Sequence, residues 1–181
     1  YILWTILKLN KQIFQSSIEQ AKKNLRPILN WIIAILIVQI IYGALTAGLK
    51  AGYGWNTFPK MAGQWLPSGL LPMSPWYLNL IEHNLTVQFI HRMLGWVLSI
   101  LIPFFWHYSQ KFSLSNQHKK AIDLLLYALI VQFLLGISTL ILVVPVWLGV
   151  MHQAGAVVLL GTVVYNKFLV HFKSEDDDNK S

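Results

Sequence analysis

Two histidines, His91 and His152, stand at matching places in two apolar stretches of the chain. Each lies about six residues into its stretch, which at 1.5 Å per residue sets both roughly 9 Å inside the same end of their helices. An ionisable side chain at that depth is expensive in lipid and marks a functional site by default. Gly95 follows His91 by one turn, and Gly155 and Ala156 follow His152 by one turn, leaving flat space beside each imidazole. Two neutral imidazoles facing one another across a bundle are a standard axial pair for low-spin heme iron. Zinc or copper would want a third and a fourth ligand, and no Cys, Asp or Glu lies near that depth in either stretch. For either histidine alone, a core imidazole bonded to a neighbour reads equally well; the matched pair favours ligation.

Arg92, beside His91, has the guanidinium suited to a heme propionate; its competing reading is a side chain that snorkels to the headgroups. Lys50 and Lys60 carry weaker forms of both readings. Glu82 precedes the His91 stretch and reads either as a group near a propionate or as a helix-start carboxylate. His83, His107, His118 and His171 fall at ends and loops and are expected at the interface or surface, and Asp123 is expected at the opposite end from the histidine pair. The chain has no cysteine. That excludes disulfides, thiolate-ligated heme, iron–sulfur clusters and the Cys-x-x-Cys-His attachment within it.

The elements that must carry these side chains are membrane spans. Of 181 residues 55% are hydrophobic and only 12% charged, about half the charge of a soluble domain. Four apolar stretches of about twenty residues suit four bilayer crossings. The spacing predicts span A over about 27–49, with Pro27 in its first turn, span B over about 85–106, with a kink or early exit at Pro103, span C over about 121–144, and span D over about 146–170. Pro145 makes the C–D connection a very tight turn. Residues 50–84 are rich in Gly, Pro and aromatic residues and read as a long interfacial loop. Residues 1–7 read as the end of a truncated helix, 8–26 as a polar connector, and 171–181 as a charged, disordered tail. We read the chain as the C-terminal piece of a longer membrane protein.

The net charge of +7 does not point to nucleic acid, because the basic residues lie between spans. Eleven of the 14 Lys and Arg fall on the side of the connector, the B–C loop and the tail, against Lys50, Lys60 and Arg92 on the other. The positive-inside rule places that basic side in the cytosol or matrix.

The chain is internally duplicated. Gln39, Gly43 and Thr46 of span A recur as Gln132, Gly136 and Thr139 of span C, and a histidine opens each following span. The bland reading is a small-residue packing face, with Gly43/Ala47 and Ala44/Gly48 as close-approach pairs. Repetition of the histidine instead points to parallel repeats with a site at their interface.

Together these residues resemble the C-terminal half of the heme A synthase family of cytochrome oxidase assembly. The resemblance rests on the run from Gly43 to Gly52, on Trp55-Asn-Thr-Phe-Pro-Lys-Met61 and Gln64-Trp-Leu-Pro67, on Val87-Gln-Phe-Ile-His-Arg92, on Leu135-Gly-Ile-Ser-Thr139, and on Val144-Pro145 with His152-Gln-Ala-Gly-Ala156. It covers residues 27–170 in order.

It implies an all-α membrane protein, here a four-transmembrane-helix bundle that is half of an eight-helix pseudo-symmetric protein. It also implies conversion of heme O to heme A by oxidising a ring methyl to a formyl group with water-derived oxygen. By that resemblance His91 and His152 are the axial iron ligands of a heme b cofactor, with Arg92 beside it, and the catalytic residues belong to the half not contained here. The family's N-terminal motif has Glu three residues before its first histidine; Gln88 stands at that position, which suits an electron-transfer half, and Ile90 stands where many relatives are acidic. The expected partners are heme O, the lipid bilayer, a heme O synthase and cytochrome oxidase assembly factors, with a homo-oligomer left open. The expected location is a bacterial plasma membrane, with the mitochondrial inner membrane as the alternative. A b-type bis-His electron carrier and a heme-free assembly subunit are the competing functions.

Overall fold

The computed structural model describes the backbone of residues 2–171 and the side chains of residues 20–170. The side chains expected in the helix stub and most of the connector, and the tail from residue 172, lie outside the described residues. Four helices carry the chain: α1 (Ile2–Gly48), α2 (Asn84–Ser109), α3 (Asn116–Ile141) and α4 (Val146–His171). Each contains a segment long and apolar enough to cross a membrane: Gln20–Gly48, Asn84–Ser109, Asn116–Ile141 and Val146–Val170. The chain is an all-α, multi-pass membrane bundle. In lipid only a helix or a closed barrel pairs every backbone N–H and C=O, and apolar side chains such as Ile100, Leu134 and Phe168 are turned outward.

α1 packs chiefly on α2 and α3 on α4, and the two pairs meet along α1–α4 and α2–α3. α2 and α4 are therefore diagonal. Their shared core fills the half of the bundle near the short α2–α3 loop. Leu25, Leu29 and Ile32 of α1, Ile102 and Phe105 of α2, Ile122 and Leu125 of α3 and Val163 of α4 form one cluster there. Truncating Phe105, which is fully buried, is expected to cost about 3–5 kcal/mol through the cavity it leaves. The expected readout for Phe105→Ala is a lower thermal midpoint in detergent than for Phe104→Ala on the exposed face.

This packing overturns the helix start expected at Pro27 and the early exit, one of the two outcomes expected at Pro103. α1 does not begin at Pro27 but runs through it, because Ala21, Leu25 and Leu29 on both sides of it are buried and hold the turn that lacks one backbone donor. α2 likewise does not exit at Pro103 but continues to Ser109, with Ile102 and Phe105 locking the turn into the core. α3 begins earlier than its apolar run, at Asn116, where Ser115 is the N-cap.

A third expectation also fails. His118 is not a surface residue: it is 8% exposed, its Nε2 donating to the Leu169 carbonyl at 3.1 Å and its Nδ1 lying 2.7 Å from Ser115 Oγ. Arg26 Nε donates to the Val170 carbonyl at 3.3 Å. Both side chains thus bond carbonyls near the described end of α4, which apolar patterning does not reveal. Asp123 is not free either, since it accepts a 2.7 Å bond from Trp106 Nε1.

The α3–α4 connection is as tight as expected. Val143 and Val144 both take positive φ, 59° and 57°, a costly conformation for β-branched residues. Val144 N–H donates to the Thr139 carbonyl at 2.8 Å and so closes the turn. Across from it, the long loop presents Gly52, where an added Cβ would lie 2.8 Å from Val144 Cγ2. Asn56 Nδ2 donates to the carbonyls of both Leu140 and Gly52. The loop is thereby fastened onto the end of α3.

Candidate functional site

The half of the bundle near the long loop is hollow. A cavity of about 490 Å³ lies there, within the size range of small-molecule sites, and all four helices line it. Its floor is one leucine from each helix: Leu36, Leu98, Leu129 and Leu159, all buried. The floor obeys the duplication. Leu36 and Leu129 each precede the motif glutamine by three residues, and Leu98 and Leu159 each follow the histidine by seven.

His91 and His152 meet in this cavity. They come from the diagonal helices α2 and α4, with ring centres 6.5 Å apart and ring planes at 90°. With about 2.0 Å for a metal–imidazole bond and about 1.2 Å from ring nitrogen to ring centre, two imidazoles on opposite sides of one metal have centres about 6.4 Å apart. The observed spacing matches. Among the described residues no group of three or more His, Cys, Asp or Glu side chains forms a metal site. A donor set of two nitrogens suits an iron whose four equatorial ligands come from a macrocycle.

Each imidazole lies in a cradle that a Cβ would fill. A Cβ at Gly43 of α1 would be 3.1 Å from His91 Cε1, and one at Gly136 of α3 would be 2.9 Å from His152 Cε1. The motif glycines thus face the histidines, not, as the bland reading had it, helix backbones alone. Both His91 Nδ1 and His152 Nδ1 are buried without a formed hydrogen bond. An imidazole that gives its Nδ1–H to a carbonyl keeps the Nε2 lone pair for a metal.

The glutamine side chains complete the repeat. Gln132 Nε2 donates to the His152 carbonyl at 2.9 Å, and its amide occupies the space a Cβ at Gly155 would need. Gln39 holds the corresponding place against Gly95, whose Cβ would lie 3.5 Å from Gln39 Nε2. So the space beside Gly95 and Gly155 is taken by amides, while Gly43 and Gly136 seat the rings. Thr46 and Thr139 each bond back to the carbonyl four residues earlier, both at 2.7 Å.

Arg92 is brought to the same cavity but is largely committed elsewhere. Its Nη2 donates to the carbonyls of Thr57, Pro59 and Lys60 at 2.9, 2.9 and 3.2 Å, pinning the loop over the cavity. It does not snorkel outward. Its Nη1 is buried without a partner and is available to an anionic group. Gln88 lines the cavity a turn away, donating to the Trp55 carbonyl at 3.3 Å while its Oε1 has no partner. Arg92→Ala leaves three carbonyls without their donor, about 1.5–3 kcal/mol for a charge-assisted set. The expected result is tryptic cleavage after Lys60 at least about tenfold faster than in the parent chain, with Arg92→Lys in between.

The described histidines outside the pair take no part in the cavity: His83 bonds Thr86 Oγ1 at 2.9 Å ahead of α2, His118 bonds the Leu169 carbonyl of α4, and neither they nor His107 are among the lining residues. Phe58 of the loop does. It stacks on Trp96 at 5.5 Å, and both meet Phe133 edge-on, at 6.1 and 5.4 Å. The Asn-Thr-Phe-Pro segment was legible as a motif; that its phenylalanine plugs the α2–α3 seam was not.

Residues 1–164 match the family described as cytochrome oxidase assembly protein. The chain belongs to that family. It is 43% identical to the heme A synthase of Nitrosospira multiformis over 148 residues, 80% of this chain and 42% of that protein. It is 40% identical to the heme A synthase of Flavobacterium psychrophilum over 167 residues, 91% of this chain and 48% of that protein, and 39% identical to that of Bartonella tribocorum over 152 residues, 84% and 42%. The chain spans a little under half the length of these curated relatives. No solved structure matches it.

Proposed function

We propose that this chain is the cofactor half of a heme A synthase, with residues 27–170 binding a b-type heme through His91 and His152. The observation that carries the reading is the 6.5 Å spacing of two rings seated on Gly43 and Gly136 within a cavity of macrocycle dimensions. The name of the relatives, heme A synthase, supports formation of heme A by the intact protein; we take that activity to be oxidation of a ring methyl of heme O to the formyl group, with water-derived oxygen, for cytochrome oxidase biogenesis. The bacterial relatives support the plasma membrane as its location. Heme O synthase and other assembly factors are the partners that activity implies.

When bound, the heme supplies reversible one-electron chemistry. The chain's own residues do the rest. His91 and His152 would hold the iron through their imidazoles, whose Nδ1 atoms are buried without a formed bond; an Nδ1–H given to a carbonyl would leave Nε2 to the metal. The leucine floor and the loop held by Arg92 exclude water, and the unpartnered Arg92 Nη1 would be available to a propionate. Gln88 presents an amide rather than a carboxylate to the cavity, so it takes up no proton; this favours electron transfer over substrate oxidation in this half.

The test is a reduced-minus-oxidised and pyridine-hemochrome spectrum of the detergent-purified chain, followed by turnover of heme O by the full-length protein. A low-spin b-type spectrum with heme A formed supports the reading. The same spectrum without product would make the protein a bis-His electron carrier, and a folded chain with no Soret band would overturn heme binding altogether.

A further inference from the structure

The duplication makes the α1–α4 and α2–α3 seams counterparts, and the structure treats them differently. The α2–α3 seam is plugged by Phe58, Trp96 and Phe133. The end of the cavity is roofed by the loop, through Gly52 on Val144, Asn56 on Leu140 and Arg92 on three carbonyls. The opposite end is the leucine floor. Among the described residues no aromatic plug closes the α1–α4 seam, where Ala44, Ala47 and Gly149 line the cavity.

Apart from Lys50 and Tyr53, which lie at the loop end, the exposed residues that line the cavity all belong to this seam: Ala44 and Ala47 on α1, Gln153 and Val157 on α4. Gly149 lines the cavity beside them and has no atom within 4 Å of the place its Cβ would take. Gln153 is a polar side chain exposed at the level of His152, a costly position against lipid. Inside, Gln88 is 98% buried, since it is 2% exposed, and its unpartnered Oε1 belongs to a residue of the cavity wall. The cavity is therefore built for a ligand with polar groups, and it opens sideways.

Of the two seams between the helix pairs through which a flat ligand could reach the histidines sideways, one is closed by aromatic rings. We propose that the α1–α4 seam is a lateral mouth through which an iron porphyrin enters the cavity from the bilayer, edge first, and at which one edge stays accessible beside Gln153. This rests on the heme-binding reading above. Entry from the membrane suits the chemistry of the ligand, since a porphyrin is apolar over both faces and carries its carboxylates on one edge.

The test follows heme uptake by the apo chain, reconstituted in lipid vesicles, when hemin is supplied in the same bilayer; the rate and final height of the Soret band are read separately. Ala44→Phe and Val157→Phe, at exposed rim positions, are expected to slow uptake at least tenfold while final heme content stays near that of the parent. Val157→Ala, a wider rim, is expected to speed it. Gly161→Leu is the control, because it lies on α4 outside the cavity and its Cβ also meets open space. Uptake at the parental rate in both Phe variants would overturn the lateral route. So would faster uptake in Phe133→Ala with no change in Val157→Ala, which would place entry at the α2–α3 seam. If the Phe variants bind no heme even at saturation, the Val157→Ala rate decides, and an unchanged rate overturns the mouth. A parent chain that takes up no heme overturns the heme-binding reading itself, and the mouth with it.

Discussion

His91→Ala and His152→Ala are each expected to remove the low-spin b-type spectrum from the purified chain, with heme affinity down about 100-fold or more. The figure follows from ligand supply: loss of a supporting partner alone typically costs 10–100-fold at a metal site, and these substitutions remove the ligand itself. Nothing replaces it, because no third His, Cys, Asp or Glu groups with the pair among the described residues. The fold is expected to persist. The main apolar core lies toward the other end of the bundle, below the leucine floor, so helicity and detergent stability of the apo variants should match those of the parent apo chain. A five-coordinate, high-spin spectrum in one variant would show the other histidine still bound. An unchanged low-spin spectrum in both would sink the assignment.

Gly136→Ala is expected to lower heme affinity about 10–100-fold, or about 1.4–2.8 kcal/mol, in a chain that still folds. The new Cβ would lie 2.9 Å from His152 Cε1 and 3.5 Å from both ring nitrogens, so the imidazole must move by several tenths of an ångström. Gly43→Ala is the graded comparison. Its Cβ would lie 3.1 Å from His91 Cε1 and 3.7 Å from Nδ1, a milder overlap, and its loss of affinity should be smaller. Gly161→Ala supplies the baseline: its Cβ meets nothing within 4 Å, and alanine in place of glycine in a helix adds up to about 1 kcal/mol of helix stability. Heme titrations of the three variants should rank Gly136 as most affected, then Gly43, then Gly161. Equal affinities would show that the glycines serve helix packing and not the seating of the rings.

Much of the bundle was legible from residue types alone. Runs of about twenty apolar residues can satisfy their backbone in lipid only as helices, so the number and order of spans followed from hydropathy. Prolines misled because they report a local cost: at Pro27 and Pro103 the burial of Leu25, Leu29, Ile102 and Phe105 outweighs one missing donor. His118 misled for a related reason. It lies near a polar loop in the sequence, but the carbonyls of Leu169 and Val170 that draw side chains inward belong to a helix end about fifty residues away.

The histidine pair and the Gln-x-x-x-Gly-x-x-Thr repeat stand in the sequence, because matched depth and matched spacing are one-dimensional facts. Their division of labour does not. Sequence spacing suggested that Gly95 and Gly155 make room for the rings; in the fold those positions receive the Gln39 and Gln132 amides, and the rings rest on Gly43 and Gly136 of the neighbouring helices. Likewise Arg92 was readable as a cation near the site, but only the return of the loop over the cavity turns its Nη2 toward three carbonyls. The chain's composition and periodicity determined that it spans a membrane four times and carries two imidazoles at one level. Which helices are diagonal, which glycine faces which ring and which seam stays open were decided by tertiary packing, because those are relations between helices, and a period along one helix carries no information about the rotation of its neighbour.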